Sequence, residues 1–238
     1  MNIALIGYGK MGKAIEAIAL ERGHNILLKI DVNNSHELTP ENIAKVDVAI
    51  EFTGPHTAFD NITKLLKMGV PVVSGSTGWL AKMDEVEALC KQQNGTFLYA
   101  SNFSIGVNLF FELNKKLAAM MHPHKQYEVS LKEIHHTEKK DAPSGTAITL
   151  AEGVLKSYTE KGKWVNDTAP AADELLIVSE RVDPAPGTHI VNYHSEVDDI
   201  TITHTAHSRK GFALGAVLAA EFVNGKKGIF NMKDVLGI

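Results

Sequence analysis

Chemistry is concentrated in one stretch, Glu133-Ile134-His135-His136-Thr137-Glu138-Lys139-Lys140-Asp141-Ala142-Pro143-Ser144-Gly145-Thr146. Two imidazoles and an amine in such proximity can take up and release protons. Pro143-Ser144-Gly145-Thr146 reads as a helix start, with Ser144 as N-cap. Gly145 and Thr146 then offer N–H and hydroxyl groups where the helix dipole is positive. The combination is a carboxylate-binding site beside proton donors. In a regular strand His135 and His136 face opposite sides, so their joint use requires the backbone to leave strand geometry there. The plainer alternative is a pair of sheet histidines with no chemical duty.

A second constellation lies near the start. Gly7-Tyr8-Gly9-Lys10-Met11-Gly12 is a GxGxxG pattern between an apolar run and an amphipathic segment. Its first glycine serves a tight turn, the second admits a pyrophosphate and the third lets helix pack on strand. The helix N-terminus presents N–H groups to the anion. Asp31 closes the next strand 19 residues after Gly12, close to the ~20 expected of the acid that accepts from the adenosine ribose. Val32, Asn33 and Asn34 supply no arginine for a 2′-phosphate, although Lys10 could attract one. NADH is therefore the expected cofactor, with NADPH usable. Three further loops follow successive strands, where open α/β sheets bind ligands. They are Phe52-Thr53-Gly54-Pro55, Gly75-Ser76-Thr77-Gly78 and Ala100-Ser101-Asn102-Phe103. Each suits the lining of a nicotinamide and its ribose, and each taken singly also suits an ordinary turn.

The elements that must position these groups follow from periodicity. Strands are expected over Asn2–Ile6, Asn25–Asp31, Val46–Phe52, Pro71–Ser74 and Thr96–Tyr99, with helices over Lys10–Glu21, Thr57–Met68 and Ala81–Lys91. This alternation predicts a parallel sheet with helices on both faces. After Asn108 the pattern changes to a helix to Met121, a strand over Tyr127–His136, a helix over Ser144–Tyr158 and a loop over 160–173. Strands near 174–182, 188–196 and 199–206 and a helix over Phe212–Val223 complete the chain. The expected class is α/β, a Rossmann-type nucleotide domain (1–106 plus 210–238) with an inserted α+β substrate domain (107–209) on a mixed or antiparallel sheet. A cleft between the two, with hinges near Phe103–Asn108 and His207–Gly211, is expected to hold the reaction.

Composition excludes several alternatives. The 238 residues carry 24 Lys+Arg against 28 Asp+Glu, a formal charge of −4, so no mainly electrostatic grip on nucleic acid is expected. The longest apolar run, Phe212–Ala220, falls short of the ~20 residues a membrane span needs. No secretory signal is visible at the N-terminus. A single cysteine, Cys90, precludes an internal disulfide and fits a reducing cytoplasm. It sits in an amphipathic helix and reads as a small hydrophobe. Eight of the eleven histidines fall between His122 and His207. A metal site built on His189, His194, His204 and His207 is one reading of that excess, but no helical His-x₃-His or Cys pair supports it; the four lie on expected strands, where packing or the rim of a pocket explains them, and no metal is expected.

The motifs GYGKMG (7–12), FTGP (52–55), GSTG (75–78), ASNFSIGVN (100–108), EIHHTEKKDAPSGTA (133–147) and ITHTAHSRKGFALGA (202–216) resemble the 4-hydroxy-tetrahydrodipicolinate reductase family, also called dihydrodipicolinate reductase, of bacterial lysine biosynthesis. The resemblance covers essentially the whole chain. It implies reduction of a cyclic dicarboxylate to tetrahydrodipicolinate by NADH or NADPH, with a hydride delivered to the ring and a proton to the other end of the reduced bond. It implies His135 as proton donor or acceptor and Lys139 as proton donor. His136, Gly145 and Thr146 are implied to bind substrate, with Ser144 beside them. It further implies a homotetramer assembled through substrate-domain sheets. The chain departs from some members in lacking an arginine after Asp31. Arg209 and Lys210 meet a substrate carboxylate or cofactor phosphate in one reading and form a solvated helix start in the other. The rival functions are a dehydrogenase acting on another amino-acid imine and a non-enzymatic dinucleotide sensor.

Overall fold

The computed structural model describes residues 1–166 and 170–238. The chain divides into two compact units, Met1–Ile105 with Arg209–Ile238, and Gly106–Ser208. In chain order the first unit runs β1 (Asn2–Ile6), α1 (Lys10–Glu21), β2 (Asn25–Ile30), α2 (Pro40–Ile43), β3 (Val48–Glu51), α3 (Ala58–Lys67), β4 (Val72–Ser74), α4 (Met83–Gln92) and β5 (Thr96–Tyr99). Then come α5 (Ile105–Met121), β6 (Glu128–His135), α6 (Gly145–Leu155), β7 (Lys163–Val165), β8 (Glu174–Arg181), β9 (Thr188–His194) and β10 (Asp199–Thr205). The chain returns to the first unit with α7 (Lys210–Val223), β11 (Gly228–Phe230) and α8 (Met232–Leu236).

The first sheet has the order β11-β5-β4-β3-β1-β2, every pair parallel. Because side chains alternate across a strand, Ile3 and Leu5 face α1 and α7 while Ala4 and Ile6 face α3 and α4. Both faces are therefore buried, which is why β1 and β3 read as unbroken apolar runs. Helix α7 is rich in alanine and glycine on its buried side, and this lets it approach closely. A Cβ at Gly215 would stand 1.7 Å from the Phe103 carbonyl oxygen. Glu221 of α7 accepts both Arg22 Nε and Nη2 at 2.8 Å, tying α7 to the end of α1.

The second sheet has the order β10-β9-β6-β8-β7, with β6, β8 and β7 parallel and β9 and β10 antiparallel to their neighbours. One face packs on α5 and α6 through Val129, Leu131, Ile177, Val191, Ala151 and Val154. The expected parallel sheet and mixed second sheet are both present.

Four local expectations need correction. The sixth strand of the first sheet, β11, lies in what reads as a tail. Three residues after two lysines are too short to display a period, and β11 is specified by pairing Gly228 with Thr96. The four-residue α2 is likewise too short for a periodic signal. Helix α5 starts at Ile105, before Asn108. The loop expected over 160–173 contains β7, paired to β8; its residues 167–169 lie outside the described residues.

Candidate active site

In the first unit the glycine loop joins β1 to α1. Gly7 has φ +99°, and a Cβ there would meet the Phe52 carbonyl oxygen at 2.1 Å; one at Gly12 would meet the Gly7 carbonyl oxygen at 2.5 Å. These two glycines are required by the protein's own packing. Gly9 is not, because nothing lies within 4 Å of the position its Cβ would take. Gly9 is the N-cap of α1 and makes no side-chain cap, so the open space stands over a helix N-terminus suited to an anion.

That space continues into a cavity of about 700 Å³ lined by Gly7, Tyr8, Gly9, Asp31, Phe52 and Thr53, with Pro55, His56 and Asn61 on its rim. The residues present thus fit a dinucleotide. The Asp31 carboxylate is partly committed, accepting from the Asn33 N–H at 2.7 Å. Val32, beyond it, is exposed. Lys10 is exposed, and Met11 is half-buried against the core of the first unit.

The loops after β3, β4 and β5 are joined from behind. Glu51, fully buried at the end of β3, accepts from Thr53 N at 2.9 Å, from Ser76 Oγ at 2.8 Å, from Ser74 Oγ at 2.6 Å and from the Thr53 hydroxyl. Ser76 Oγ also accepts from Thr53 N at 2.8 Å. Phe103 is buried and meets Phe52 with ring centroids 5.5 Å apart, and Gly75 leaves room for the Phe52 ring. Ser76 and Phe103, expected to line the nicotinamide site, therefore back its wall. Ala100 is buried with them. Thr77 and Ser101 are exposed, and Asn102 Oδ1 accepts from Ser104 N at 2.8 Å.

In the second unit the buried face of β6 carries Val129, Leu131, Glu133 and His135 in alternation, so an apolar face turns polar at the strand's carboxyl end. Register places Glu133 opposite Ser179 of β8 and His189 of β9, and His135 opposite Arg181. The fully buried Glu133 carboxylate accepts from Ser144 N at 3.1 Å to each oxygen, from Ser179 Oγ at 2.8 Å and from Arg181 Nη2 at 3.1 Å. His135 Nδ1 stands 3.3 Å from Glu133 Oε2, an ion-pair contact rather than a well-aligned hydrogen bond. Burial pushes the Glu133 pKa up, yet the nearby His135 ring and the bonds from Ser144, Ser179 and Arg181 outweigh it and hold the carboxyl well below its ordinary value.

Ser144 is the N-cap of α6, its Oγ accepting from Ala147 N at 3.2 Å. The same oxygen lies 3.1 Å from His189 Nε2. Burial, reinforced by the nearby His135, pushes His189 down to about 4. A neutral His189 whose Nε2 accepts the Ser144 hydroxyl accounts for both facts. Gly145 is exposed with open space where a side chain would stand, and Thr146 is half-buried in the same first turn.

The strand ends at His135, whose carbonyl accepts from Val182 N at 2.8 Å. His136 enters a turn closed by Lys139 N to the His136 carbonyl, so the backbone leaves strand geometry between the two histidines. Thr137 anchors the turn on Asp183, and Lys139 Nζ donates to both oxygens of Asp141 at 2.6 and 2.7 Å. That pairing lowers the Asp141 pKa. Arg181 binds the far side of the loop, with Nε 3.3 Å from the Lys139 carbonyl oxygen and Nη2 2.6 Å from that of Asp141.

Glu133, His135 and His189 offer ligand atoms within 4.8 Å of one another, a spacing a metal could bridge. The carboxylate already accepts from three groups, one of them a guanidinium. A second cation there would meet Arg181 at close range, so the donor set is that of a hydrogen-bonded anion. His194 pairs with Asp199 and stands apart from the cluster. Sequence reasoning gave no role to Glu133 or Arg181, and it weighed His189 only for a metal, for packing or for a pocket rim. The one available signal was an acid on the apolar face of a strand, at even spacing from Leu131 and His135. Cys90 is buried and its thiol is pushed up by burial, as a core residue's would be. Arg209 is the exposed N-cap of α7.

The chain matches the family model described as "Dihydrodipicolinate reductase, N-terminus" over residues 1–103 and that described as "Dihydrodipicolinate reductase, C-terminus" over 106–236. A 4-hydroxy-tetrahydrodipicolinate reductase of Christiangramia forsetii is 52% identical over 237 residues, covering 99% of this chain and 98% of the relative. One from Neisseria meningitidis serogroup C is 32% identical, covering 94% and 84%. Among solved structures, a dipicolinate-bound dihydrodipicolinate reductase from Paenisporosarcina sp. TG-14 matches with TM-score 0.80 at 21% identity over 98% of each chain. An amine dehydrogenase from Mycobacterium smegmatis shares the fold at TM-score 0.61 and 12% identity, covering 98% and 95%.

Proposed function

Because the chain belongs to the dihydrodipicolinate reductase family, we propose a division of labour in which 1–105 with 209–238 hold the nicotinamide cofactor and 106–208 hold the dicarboxylate. The protein is an oxidoreductase that reduces 4-hydroxy-tetrahydrodipicolinate in the diaminopimelate route to lysine. The observation that carries the assignment of residues is the convergence, at one end of the second sheet, of the His135 imidazole, the Lys139 loop and the α6 N-terminus. When bound, the reduced nicotinamide supplies the hydride. A carboxylate of the substrate is received by Gly145, Thr146 and Ser144, where the helix N-terminus is positive, with His136 beside them. Lys139 offers the proton from Nζ, now held by Asp141, and His135 exchanges a proton through its ring. Positioned acids of this kind contribute typically ~10²–10⁴-fold.

Asp31 selects NADH by accepting from the ribose hydroxyls and disfavouring a 2′-phosphate, while Lys10 leaves NADPH usable. The second unit's outward sheet face, with Val178 38% exposed and Ile134 and Ile190 half-buried beside it, is the surface through which a homotetramer would form. Among the described residues no helix is long and apolar enough to cross a membrane; a cytoplasmic location and no nucleic-acid partner complete the reading.

The test follows absorbance at 340 nm with each cofactor, with and without freshly generated 4-hydroxy-tetrahydrodipicolinate. Substrate-dependent oxidation is expected, faster at low NADH than at low NADPH, and Asp31→Ala should raise KM for NADH. No oxidation with either cofactor overturns the reading; an unchanged KM in Asp31→Ala overturns the role of Asp31.

A further inference from the structure

A glutamate that follows Val129 and Leu131 on the buried face of a strand needs a reason. An apolar residue there would extend the core, whereas a buried anion persists only when paired and fully hydrogen-bonded. Glu133 meets that condition by drawing hydrogen-bond donors from two other elements and facing an imidazole on its own strand. Ser144 N belongs to the start of α6, Ser179 Oγ and Arg181 Nη2 to β8, and His135 Nδ1 to its own strand. Arg181 carries the arrangement one step further, because Nη2 and Nε also reach the Asp141 and Lys139 carbonyl oxygens. Asp141 in turn holds Lys139 Nζ. Two unbroken paths therefore leave one carboxylate, a direct one to the His135 ring and one through Arg181 to the lysine.

Resting on the reading that His135 and Lys139 handle the proton, we propose that Glu133, acting with Arg181, is the positioning residue of this site. Its carboxylate faces Nδ1 of His135 and favours a proton on that nitrogen, which leaves Nε2 as the atom that exchanges. The ring has little freedom to turn otherwise. His189 of β9 lies across it with centroids 5.1 Å apart, and a Cβ at Gly187 would already stand 3.0 Å from Nε2. The groups facing the ring from the packed elements are Glu133, His189, and Arg181 as its register neighbour; Lys139 and His204 act more distantly through His189. The guanidinium neutralises the carboxylate and pins the backbone of the loop that carries Lys139.

Glu133→Gln keeps the shape, removes the anion and turns an amide NH₂ towards the donors. We expect kcat to fall about ten- to hundred-fold, the range for loss of an orienting partner, with cofactor KM within two-fold of wild type. Arg181→Lys keeps a charge without the fork; kcat should fall while the His135 ring keeps its proton on Nδ1. A readout independent of turnover is the ¹⁵N spectrum of the imidazoles in the protein without substrate. Neutral His135 should carry its proton on Nδ1 in wild type and lose that preference in Glu133→Gln.

Turnover of Glu133→Gln within two-fold of wild type overturns the proposal. So does a wild-type His135 protonated on Nε2, and that result remains decisive if Glu133→Gln fails to fold. A wild type that oxidises no cofactor would instead overturn the reading of the reaction, leaving the tautomer measurement to judge the positioning role by itself.

Discussion

Acid should loosen the second unit through His189, by an amount set by that residue's surroundings. His189 is 5% exposed; burial first, then the neighbouring His135, push it from 6.5 down to about 4, with Glu133 opposing. Between those values the unfolded chain binds a proton that the native site refuses. The corresponding stability is therefore complete above pH 6.5 and is lost as pH falls toward 4. At about 1.4 kcal/mol per pH unit the whole window is worth about 3 kcal/mol, of which about 2 kcal/mol has gone by pH 5. Glu133, held low by its donors, contributes a constant amount above its ordinary value of 4.5 and begins to matter only at the acid end of that window, below the pH 5 of the comparison. His189→Gln removes the titration while keeping a group that can meet Ser144 Oγ. At pH 7.5 the variant should be less stable by about 1 kcal/mol, the usual worth of a strained or lost hydrogen bond. At pH 5 the order should reverse. Urea unfolding followed through Trp164 of β7, in a Trp79→Phe background, reports on this unit. A stability difference that stays constant from pH 7.5 to 5 refutes the reasoning, because a group that titrates alike in both states cannot produce a pH-dependent gap.

The other predictions concern the first unit and Lys139. Gly9→Ala should leave thermal unfolding unchanged, since nothing lies within 4 Å of its Cβ, yet weaken NADH binding by about ten-fold, equivalent to ~1.4 kcal/mol; isothermal titration measures it. Gly215→Ala places a methyl 1.7 Å from the Phe103 carbonyl oxygen and should cost about 3 kcal/mol, seen as a fall in Tm that cofactor partly restores. Lys139→Ala should lower kcat by roughly 10²-fold or more with NADH affinity intact; weakened cofactor binding with normal turnover per bound complex would sink that assignment.

What the sequence disclosed and what it withheld divide along a physical line. Gly7, Gly12 and Asp31 announce themselves because their constraints are local, a positive φ, a close carbonyl and the end of a strand. Ser144 was legible as an N-cap for the same reason, since its partner is Ala147 N, three residues on. The partners of Glu133 are not local: Ser179 and Arg181 are 46 and 48 residues away. They meet it because β8 lies parallel to β6 in one register out of several that periodicity allows, and a slip of one residue would turn every side chain to the other face. His189, read as packing or rim, owes its place on the Ser144 hydroxyl to the antiparallel register of β9. The β11 strand escaped notice because a three-residue strand has no period of its own.

The two units solve one problem in the same way, and the comparison says what each glutamate does. Glu51 ends the central β3 and Glu133 lies near the end of the central β6; both are fully buried, and both gather donors from the loops that follow. The donors to Glu51 are a backbone N–H and hydroxyls from Thr53, Ser74 and Ser76, all neutral. Such an anion joins the loops after β3 and β4 into one piece, so a change in Ser76 should be felt at Thr53 in the cavity wall. Glu133 has in addition a guanidinium and an imidazole. A carboxylate that only had to join loops could be satisfied by hydroxyls, as Glu51 is. The extra cation and the titratable ring at Glu133 are what the proposed proton chemistry of this unit calls for, and they let His135 and Lys139, on opposite sides of a turn, be held by a single buried charge.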